Sequence, residues 1–307
     1  MYGRRIRMLT FENKVVVITG AGAGLGRAYA LDLAKRGAKI VVNDLGGRSS
    51  GEGSSQSAAD TVVAEIDQIV GRPGNAVADY NSVVNGEKII ETAIAKFGRV
   101  DVLINNAGIL RDVTMTKMTH ADWDLLYDVH LKGTFRCTHA AWKHMVNQKY
   151  GRIVTVTSVA GMYGNFGQAN YSAMKSAMLG FTKTLAKEGA KYDIKINCVA
   201  PMATSRLTDK ILPDEIKPFT APEHVAPVVT LLSHEFCPDS GEVLEIAAGW
   251  ISKVRFQRAK GVFLRPPFSA EQVKSNWAKT GDFSQPDYPK EIHETIMICM
   301  QNATAKL

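Results

Sequence analysis

The fold of this chain is decided by one stretch near its start, Val15-Val16-Val17-Ile18-Thr19-Gly20-Ala21-Gly22-Ala23-Gly24-Leu25-Gly26. Its first four residues are β-branched and apolar, which favours a strand buried on both faces of a parallel sheet. The glycines that follow let the backbone turn sharply and approach a pyrophosphate at the N-terminus of the next helix. Tight strand-to-helix geometry alone also selects glycine, so the rest of the chain has to distinguish the two explanations.

Strand patterns and helix patterns alternate through roughly the first 250 residues. The predicted strands are residues 15–19, 40–44, 76–80, 100–105, 153–158, 194–199 and 243–247. The predicted helices are residues 25–36, 57–70, 86–97, 121–148, 168–191 and 223–233. This alternation predicts an α/β fold, a doubly wound (Rossmann) parallel sheet with helices on both faces.

The alternation stops after Trp250, which divides the chain into two parts. Residues 1–250 are predicted to form the Rossmann domain. Residues 251–307 form a C-terminal extension with helix patterns at 270–278 and 291–302. The extension is too short for a second catalytic domain, so we expect it to pack on the first. Two irregular segments interrupt the domain. Residues 45–57 are rich in Gly and Ser and are expected to form a mobile loop. Residues 201–222 are expected to form either a substrate lid or a surface excursion.

The composition excludes several classes of protein. With 45% hydrophobic and 22% charged residues, and no run near the ~20 apolar residues of a spanning helix, the chain is predicted to be soluble and globular. The formal net charge of +7 is scattered along the chain, so nucleic acid is not an expected partner. In the densest basic stretch, residues 253–265, a solvated helix face is favoured over a phosphate-contacting patch. The four cysteines show neither metal-ligand pairs nor a disulfide framework, so no metal site is predicted.

Asp44 strengthens the nucleotide-binding interpretation of the glycine-rich turn. It stands at the end of the second predicted strand, 18 residues beyond Gly26. A carboxylate at this place accepts hydrogen bonds from the adenine ribose hydroxyls and repels a 2′-phosphate. NAD is therefore predicted as the cofactor in preference to NADP. The alternative is an ordinary aspartate in a surface turn.

Tyr171 and Lys175 are four residues apart and share one face of a predicted helix, and Ser158 ends the fifth predicted strand. Oxidation of an alcohol needs a base for the hydroxyl proton. A tyrosine, whose pKa is ordinarily about 10, needs a nearby positive charge to act near neutral pH. Lys175 would provide that charge, and Ser158 would orient the reacting oxygen. A Tyr–Lys pair alone is usually a surface contact, so its combination with the glycine-rich turn is what predicts catalysis.

Three motifs in this order resemble the short-chain dehydrogenase/reductase family: Thr-Gly-x-x-x-Gly-x-Gly from Thr19, Asn105-Asn106-Ala107-Gly108, and Tyr171-Ser172-Ala173-Met174-Lys175. The resemblance covers residues 11–250. It implies a catalytic set of Tyr171, Lys175 and Ser158, with Lys175 also holding the ribose hydroxyls. It also implies a cofactor site made of Gly20, Gly24, Leu25, Gly26, Asp44, Asn81, Ser82, Val83, Asn106, Ala107, Gly108, Tyr171, Lys175, Ala203, Thr204, Ser205 and Arg206.

The chain departs from the family pattern at two positions. Many relatives have Asp where this chain has Asn81, in the turn that contacts adenine; Asn81 can still pair with adenine, and nearby Asp79 is a rival. Many relatives also have Asn where this chain has His130, and there the Asn supports a water-linked proton relay. His130 is therefore either a catalytic residue in a modified relay or a buried structural histidine, and both interpretations stay open.

Longer strings, among them Val42-Asn43-Asp44-Leu45-Gly46-Gly47 and Ala248-Gly249-Trp250, are similar to one branch of the family, the (3R)-hydroxyacyl-CoA dehydrogenase units of peroxisomal multifunctional enzymes. The implied reaction is oxidation of (3R)-3-hydroxyacyl-CoA to 3-ketoacyl-CoA in fatty-acid β-oxidation, by a stand-alone enzyme or an excised unit. The resemblance also implies a homodimer built through the helices at 121–148 and 168–191. The ending Ala305-Lys306-Leu307 is similar to a peroxisomal address, and the expected location is cytoplasmic if that ending is accidental.

Two other functions compete with this one. In the first, the chain is a short-chain dehydrogenase/reductase that acts on a steroid, sugar or acyl-carrier substrate, since the fold and the catalytic set are shared across these chemistries. In the second, the chain is a catalytically silent scaffold that binds a dinucleotide. The complete set of Tyr171, Lys175 and Ser158 argues against this hypothesis.

Overall fold

The computed structural model describes residues 8–47, 50–204 and 213–304. The chain divides into two compact units, Met1–Lys253 and Val254–Leu307. The first unit contains the strands that were predicted from the sequence. Packing of the extension on the Rossmann domain stays a prediction.

One eight-stranded sheet organises the first unit, in the order β3-β2-β1-β4-β5-β6-β7-β8. The pairs from β3 through β7 are parallel. This order reverses direction at β1, as in a doubly wound sheet, and it confirms the predicted fold class. The strands are β1 (Val15–Thr19), β2 (Lys39–Asn43), β3 (Ala76–Asp79), β4 (Val102–Asn105), β5 (Gly151–Val156), β6 (Ile194–Met202), β7 (Val243–Ala247) and β8 (Trp250–Val254).

Helices cover both faces of the sheet, as predicted. Val16 and Ile18 of β1 pack in the core beneath α1, α2 and α8, whereas Val15 and Val17 pack in the core beneath α3 and α5. The continuous apolar run of β1 is therefore explained by burial on both faces, which contributes about 1.5–3 kcal/mol for each such side chain. The helices of this unit are α1 (Gly24–Lys35), α2 (Ser57–Val70), α3 (Gly86–Phe97), α4 (His120–Leu126), α5 (Gly133–Gln148), α6 (Val159–Tyr163), α7 (Ala169–Gly189) and α8 (Ala226–Ser233).

The structure corrects three details of the prediction. The helix predicted at 121–148 is interrupted by a π-helical turn, Tyr127–Lys132, between α4 and α5. The strand β8 was missed; it follows β7 after only Ala248 and Gly249, which have φ angles of 48° and 82°. So short a connection makes a hairpin, and β8 therefore runs antiparallel to β7. The helix face favoured for residues 253–265 is wrong, because the chain beyond β8 is irregular there.

The second unit contains α9 (Ala270–Ser275), α10 (Trp277–Thr280) and α11 (Ile292–Thr304). None of its residues that the structure describes is buried. Arg258 ties its two halves together through a backbone bridge to Asp287 and an ion pair of 2.7 Å with the same residue. Among the described helices of the whole chain, none is both long enough and apolar enough to cross a membrane.

Candidate active site

The glycine-rich turn follows β1 and opens α1 at the carboxyl edge of the sheet. Gly20 and Gly24 have φ angles of 64° and 53°, in the left-handed region that favours glycine. A Cβ at Gly26 would collide with the carbonyl oxygen of Gly20 and would lie 2.7 Å from the side-chain nitrogen of Asn106. The turn therefore needs glycine for its conformation at the first two positions and for close packing at the third.

Thr19 and Asn106 fasten this turn to the end of β4. The Thr19 hydroxyl accepts hydrogen bonds from the backbone amides of Asn106 and Ala107, at 3.0 and 3.1 Å. The Asn106 side chain donates to the carbonyls of Thr19 and Gly20, each at 3.0 Å. Thr19 belongs to the quoted motif but was not predicted as a site residue, and the structure shows that it joins the two cofactor segments.

Asp44 begins the loop after β2 and faces the glycine-rich turn. Its carboxylate accepts hydrogen bonds from the amides of Gly22 at 2.8 Å and Gly46 at 2.6 Å. A Cβ at Gly22 would lie 2.8 Å from that carboxylate. Two amides thus orient the carboxylate, and it remains partly exposed to a ligand in the cleft.

The two residues proposed for the adenine turn, Asp79 and Asn81, differ in their hydrogen bonds. Asp79 is buried, and its carboxylate accepts from the side chains of Asn43, Asn81 and Thr92 and from the backbone amide of Asn81. These four donors engage the Asp79 carboxylate within the protein. Asn81, which is partly exposed, keeps its side-chain oxygen as the acceptor in this turn. Ser82 accepts from the Val84 amide at 3.4 Å.

Strand β5 and helix α7 bring the three predicted catalytic residues to the same edge of the sheet. Ser158 lies just beyond β5 and caps α6, accepting from the Ala160 amide at 3.2 Å. The Lys175 ammonium donates to the Val156 carbonyl at 2.7 Å and lies 5.7 Å from the centre of the Tyr171 ring. Ser158 lies close enough to Tyr171 to lower the pKa of its phenol.

The electrostatics of this cluster follow from its burial. Burial lowers the pKa of Lys175 from 10.5 to about 8, because the buried ammonium is separated from water. Burial also raises the pKa of Tyr171 above its ordinary value, and the nearby Ser158 hydroxyl opposes that rise only in part. Tyr171 is therefore neutral near pH 7 among the groups that surround it here.

His130 lies in the π-helical turn and packs against Tyr171. Its ring packs edge-on against the Tyr171 ring with 5.3 Å between centroids, and a Cβ at Gly108 would lie 2.7 Å from His130 Cε1. The ring Nε2 bonds with the Ile109 backbone, 2.9 Å from its oxygen and 3.2 Å from its nitrogen. Burial lowers the pKa of His130 well below its ordinary value, and the nearby Lys175 charge lowers it further.

Two of the four residues predicted near the nicotinamide are described. Ala203 is buried, and Thr204 bonds with Thr220 through both its hydroxyl and its amide, each at 2.7 Å. Ser205 and Arg206 lie outside the described residues.

Comparison with known proteins identifies this arrangement. The profile of the short chain dehydrogenase family matches residues 14–214, more than half of the chain. The chain belongs to the short-chain dehydrogenase family. The resemblance inferred from the three motifs is therefore confirmed.

Several relatives match this short-chain dehydrogenase over most of its length. Peroxisomal multifunctional enzyme A of Dictyostelium discoideum is 52% identical over 288 residues, which cover 94% of this chain and 64% of that protein. The structure of full-length peroxisomal multifunctional enzyme type 2 from Drosophila melanogaster matches with a TM-score of 0.81 and 43% identity, covering 95% of this chain and 50% of that chain. The chain thus spans only part of these multifunctional relatives.

A third match bears on the cofactor. The structure of a 7α-hydroxysteroid dehydrogenase complexed with NADH and 7-oxo glycochenodeoxycholic acid matches with a TM-score of 0.69 and 27% identity, covering 78% of this chain and 95% of that chain. The site of this short-chain dehydrogenase fits such a nicotinamide dinucleotide. The cradle at Gly22 and Gly26 has no room for side chains, Asp44 offers a carboxylate to ribose hydroxyls, and no carboxylate that the structure describes pairs with the buried Lys175.

Proposed function

We propose that the chain is an NAD-dependent dehydrogenase that oxidises (3R)-3-hydroxyacyl-CoA to 3-ketoacyl-CoA. The observation that carries the reaction type is the meeting of Tyr171, Ser158 and Lys175 at the carboxyl edge of β5, beside the glycine-rich turn. The substrate is supported by the names of the relatives, which are peroxisomal multifunctional enzymes. The (3R) configuration follows from the resemblance of the longer sequence strings to that branch of the family.

The proton chemistry follows from the contacts of the three side chains. The chemistry that the dinucleotide supplies when bound is acceptance of a hydride from the alcohol carbon. Tyr171 Oη, in its phenolate form, takes the hydroxyl proton of the substrate, and Ser158 Oγ orients the substrate oxygen. The Lys175 ammonium, held by the Val156 carbonyl, favours the charged form of Tyr171 and holds ribose hydroxyls.

The cofactor is NAD, because Asp44 closes the ribose end of the cleft. Its carboxylate is fixed by Gly22 and Gly46 and cannot turn away from a 2′-phosphate without losing both hydrogen bonds. A phosphate there would bring two negative groups together. We expect NAD to be strongly preferred, and equal turnover with NADP would contradict this assignment.

His130 acts as a positioning residue. Its Nε2 is engaged by the Ile109 backbone, and its ring forms the wall against which Tyr171 rests. It holds the position of the tyrosine and remains neutral.

The enzyme is a homodimer built through the helices at 121–148 and 168–191. Three aromatic side chains, Trp123, Tyr127 and Phe135, are exposed along α4, the π-helical turn and α5. Helix α7 exposes a row of small residues that allows close helix contact: Ala169, Ala173, Ser176, Gly180 and Thr184. Light scattering that gives the mass of a monomer at micromolar concentration would refute the dimer.

The enzyme acts in peroxisomes, as the names of its relatives indicate. The predicted address Ala305-Lys306-Leu307 lies outside the described residues. Its removal from a fluorescent fusion is expected to leave the protein in the cytoplasm, whereas unchanged peroxisomal fluorescence would reject the address.

A second candidate is oxidation or reduction of a steroid. The 7α-hydroxysteroid dehydrogenase complexed with NADH and a 7-oxo steroid has a similar fold, which supports this alternative. Turnover of steroid alcohols together with no turnover of any acyl-CoA would favour it.

The deciding experiment follows NAD reduction with (3R)- and (3S)-3-hydroxyacyl-CoA, for the native protein and for Tyr171→Phe. We expect turnover of the (3R) substrate only, and a loss of about 10²–10⁴-fold in the variant, because phenylalanine keeps the ring but has no hydroxyl. Tyr163→Phe is the matched control, since the Tyr163 hydroxyl bonds Glu245 on the exposed surface. A protein that binds NADH but oxidises neither substrate would revive the scaffold hypothesis, and a rate in Tyr171→Phe within tenfold of native would reject the proton route.

A further inference from the structure

The loop between β2 and α2 makes an ion pair that the catalytic set does not use. We call residues 45–47 and 50–56 the strap. Glu52 of the strap pairs with Arg111, with 3.2 Å between Glu52 Oε1 and Arg111 Nη2. The Arg111 side chain is partly exposed and the Glu52 side chain is exposed. The pair therefore connects the loop after β2 to the segment that follows β4.

The sheet order determines where the strap runs. Strand β1 lies between β2 and β4, and all three strands are parallel, so their carboxyl ends share one edge. A connection from the end of β2 to Arg111 has to cross about 10 Å, two strand spacings, past the carboxyl end of β1. The glycine-rich turn emerges at that end. The strap therefore runs beside the path of a dinucleotide that reaches from Asp44 to Lys175.

Both ends of the strap are fixed by contacts. At its base, the Ser55 amide donates to the Leu45 carbonyl at 3.0 Å, and the Gly46 amide donates to the Asp44 carboxylate. At its tip, a Cβ at Gly51 would lie 2.9 Å from Ile109 Cδ1 and 3.2 Å from Leu125 Cδ2. The base is thus joined to the ribose-binding carboxylate, and the tip rests on the residue that bonds with His130.

We propose that the strap retains the bound dinucleotide, with Glu52 and Arg111 as positioning residues that fasten its tip. This inference rests on the proposed cofactor site. An exposed ion pair changes an equilibrium by only about twofold to fivefold. The ion pair of Glu52 and Arg111 therefore slows release of the cofactor without preventing it. An enzyme that exchanges its cofactor in every cycle requires such release.

The test measures the rate at which bound NADH leaves, by displacing it with excess NAD in a stopped-flow fluorimeter. Glu52→Gln removes the charge and keeps the shape, so we expect release to become about twofold to fivefold faster. The matched control is Glu87→Gln, which breaks a comparable exposed ion pair with Arg136, 2.8 Å long and far from the strap in sequence. The control should release NADH at the native rate.

A second variant disturbs the tip without touching any charge. Gly51 has a φ of 87°, so Gly51→Ala adds backbone strain and pushes against Ile109 and Leu125. It should accelerate NADH release and also cleavage after Glu52 by a glutamate-specific protease, and NADH should protect the native strap from that cleavage.

The outcomes separate the two proposals. Failure of the native protein to bind NADH would reject the cofactor site itself. Normal binding, with native release rates in both Glu52→Gln and Gly51→Ala, would overturn the strap alone.

Discussion

Two buried cations contact strand β5, one near each end, and their surroundings differ sharply. Arg152, 1% exposed, lies near the amino end of β5; Lys175, 5% exposed, donates to Val156 at the carboxyl end. Arg152 stacks 4.5 Å from the Tyr150 ring and pairs with the Asp193 carboxylate at 3.3 Å. Its guanidinium also donates to the carbonyls of Gly151, Asp193, His234 and Glu235. Lys175 pairs with none of the carboxylates that the structure describes.

The difference supports a structural role for Arg152 and the proposed catalytic role for Lys175. A buried charge is tolerated when its donors are satisfied and a counter-ion is near, as at Arg152. Lys175 is buried with a hydrogen bond to the Val156 carbonyl, and this burial lowers its pKa to about 8. Perturbed groups of this kind concentrate at functional sites because the missing partner is the ligand or the transition state.

Lys175→Met should produce the largest effect that distinguishes the two cations. Methionine fills the volume but cannot hold ribose hydroxyls or favour ionised Tyr171, so kcat/KM should fall by about 10²–10⁴-fold. Steady-state NAD reduction measures this. Retention of activity within tenfold would remove Lys175 from the catalytic set.

The same variant should be more stable than the native protein at pH 7. Below pH 8 the lysine is charged in both states, so folding carries the full cost of burying it, about 3 kcal/mol for a pKa lowered from 10.5 to about 8. Between these two pKa values the unfolded chain binds a proton that the folded protein does not, so native stability rises with pH. The advantage of the variant should therefore shrink from pH 8 to 10.5 in urea titrations. An advantage that grows with pH would contradict the sign.

Arg152→Met should show the opposite pattern. Removing the guanidinium takes one donor from each of the carbonyls that it bonds and breaks the ion pair with Asp193, which costs about 1.5–3 kcal/mol of the free energy of unfolding. Because Arg152 is at the amino edge of the sheet, kcat and KM should stay within twofold of native at a temperature where the variant is folded. A large change in KM for NAD would mean that the two ends of β5 are coupled.

Only part of this comparison could be predicted from the sequence. The bounds of β1, α2 and α3 were predicted as observed, because a continuous apolar run marks β1, and Gly71 and Gly98, both with positive φ, end the two helices. Tyr171, Lys175 and Ser158 were predicted as a set from their spacing, and in the structure they lie at the same edge of the sheet. The Arg152 cluster could not be found, since its carbonyl partners come from segments 41, 82 and 83 residues away.

Other features were hidden for different reasons. The strand β8 begins with Trp250 and Ile251, both exposed, and so lacks the buried apolar pattern by which the other strands were recognised. A π-helical turn is defined by its i→i+5 backbone hydrogen bonds, and a turn of six residues is too short to change the pattern of a long amphipathic segment, so one helix was predicted at 121–148. The side chains of Asn43 and Thr92 donate hydrogen bonds to the Asp79 carboxylate, and their positions beside it follow only from the folded sheet.

Substitution of His130 should give the smallest effect. It tests whether this third buried titratable group resembles Arg152, as a structural residue, or Lys175, as a proposed catalytic one. It lies at the carboxyl edge, as Lys175 does, but its Nε2 is engaged by the Ile109 backbone, much as the donors of Arg152 are engaged. Asparagine is too short to reach Ile109, so His130→Asn should cost about 1–3 kcal/mol of stability. It should lower kcat less than tenfold and leave the pH profile of kcat unchanged, because the pKa of His130 lies well below its ordinary value and the ring stays neutral.

His130→Gln supplies the matched control for that experiment. The longer amide reaches the Ile109 backbone and should restore most of the stability and the rate. A relay role would give a different result: both variants would lose more than about 10²-fold in kcat, the range expected when a proton-transfer group is removed. Their pH profiles would also shift, since the proton leaving Lys175 would have to take another route. A rate rescued by glutamine with an unshifted profile would therefore place His130 with Arg152, as a buried group whose task is to hold its neighbours in position.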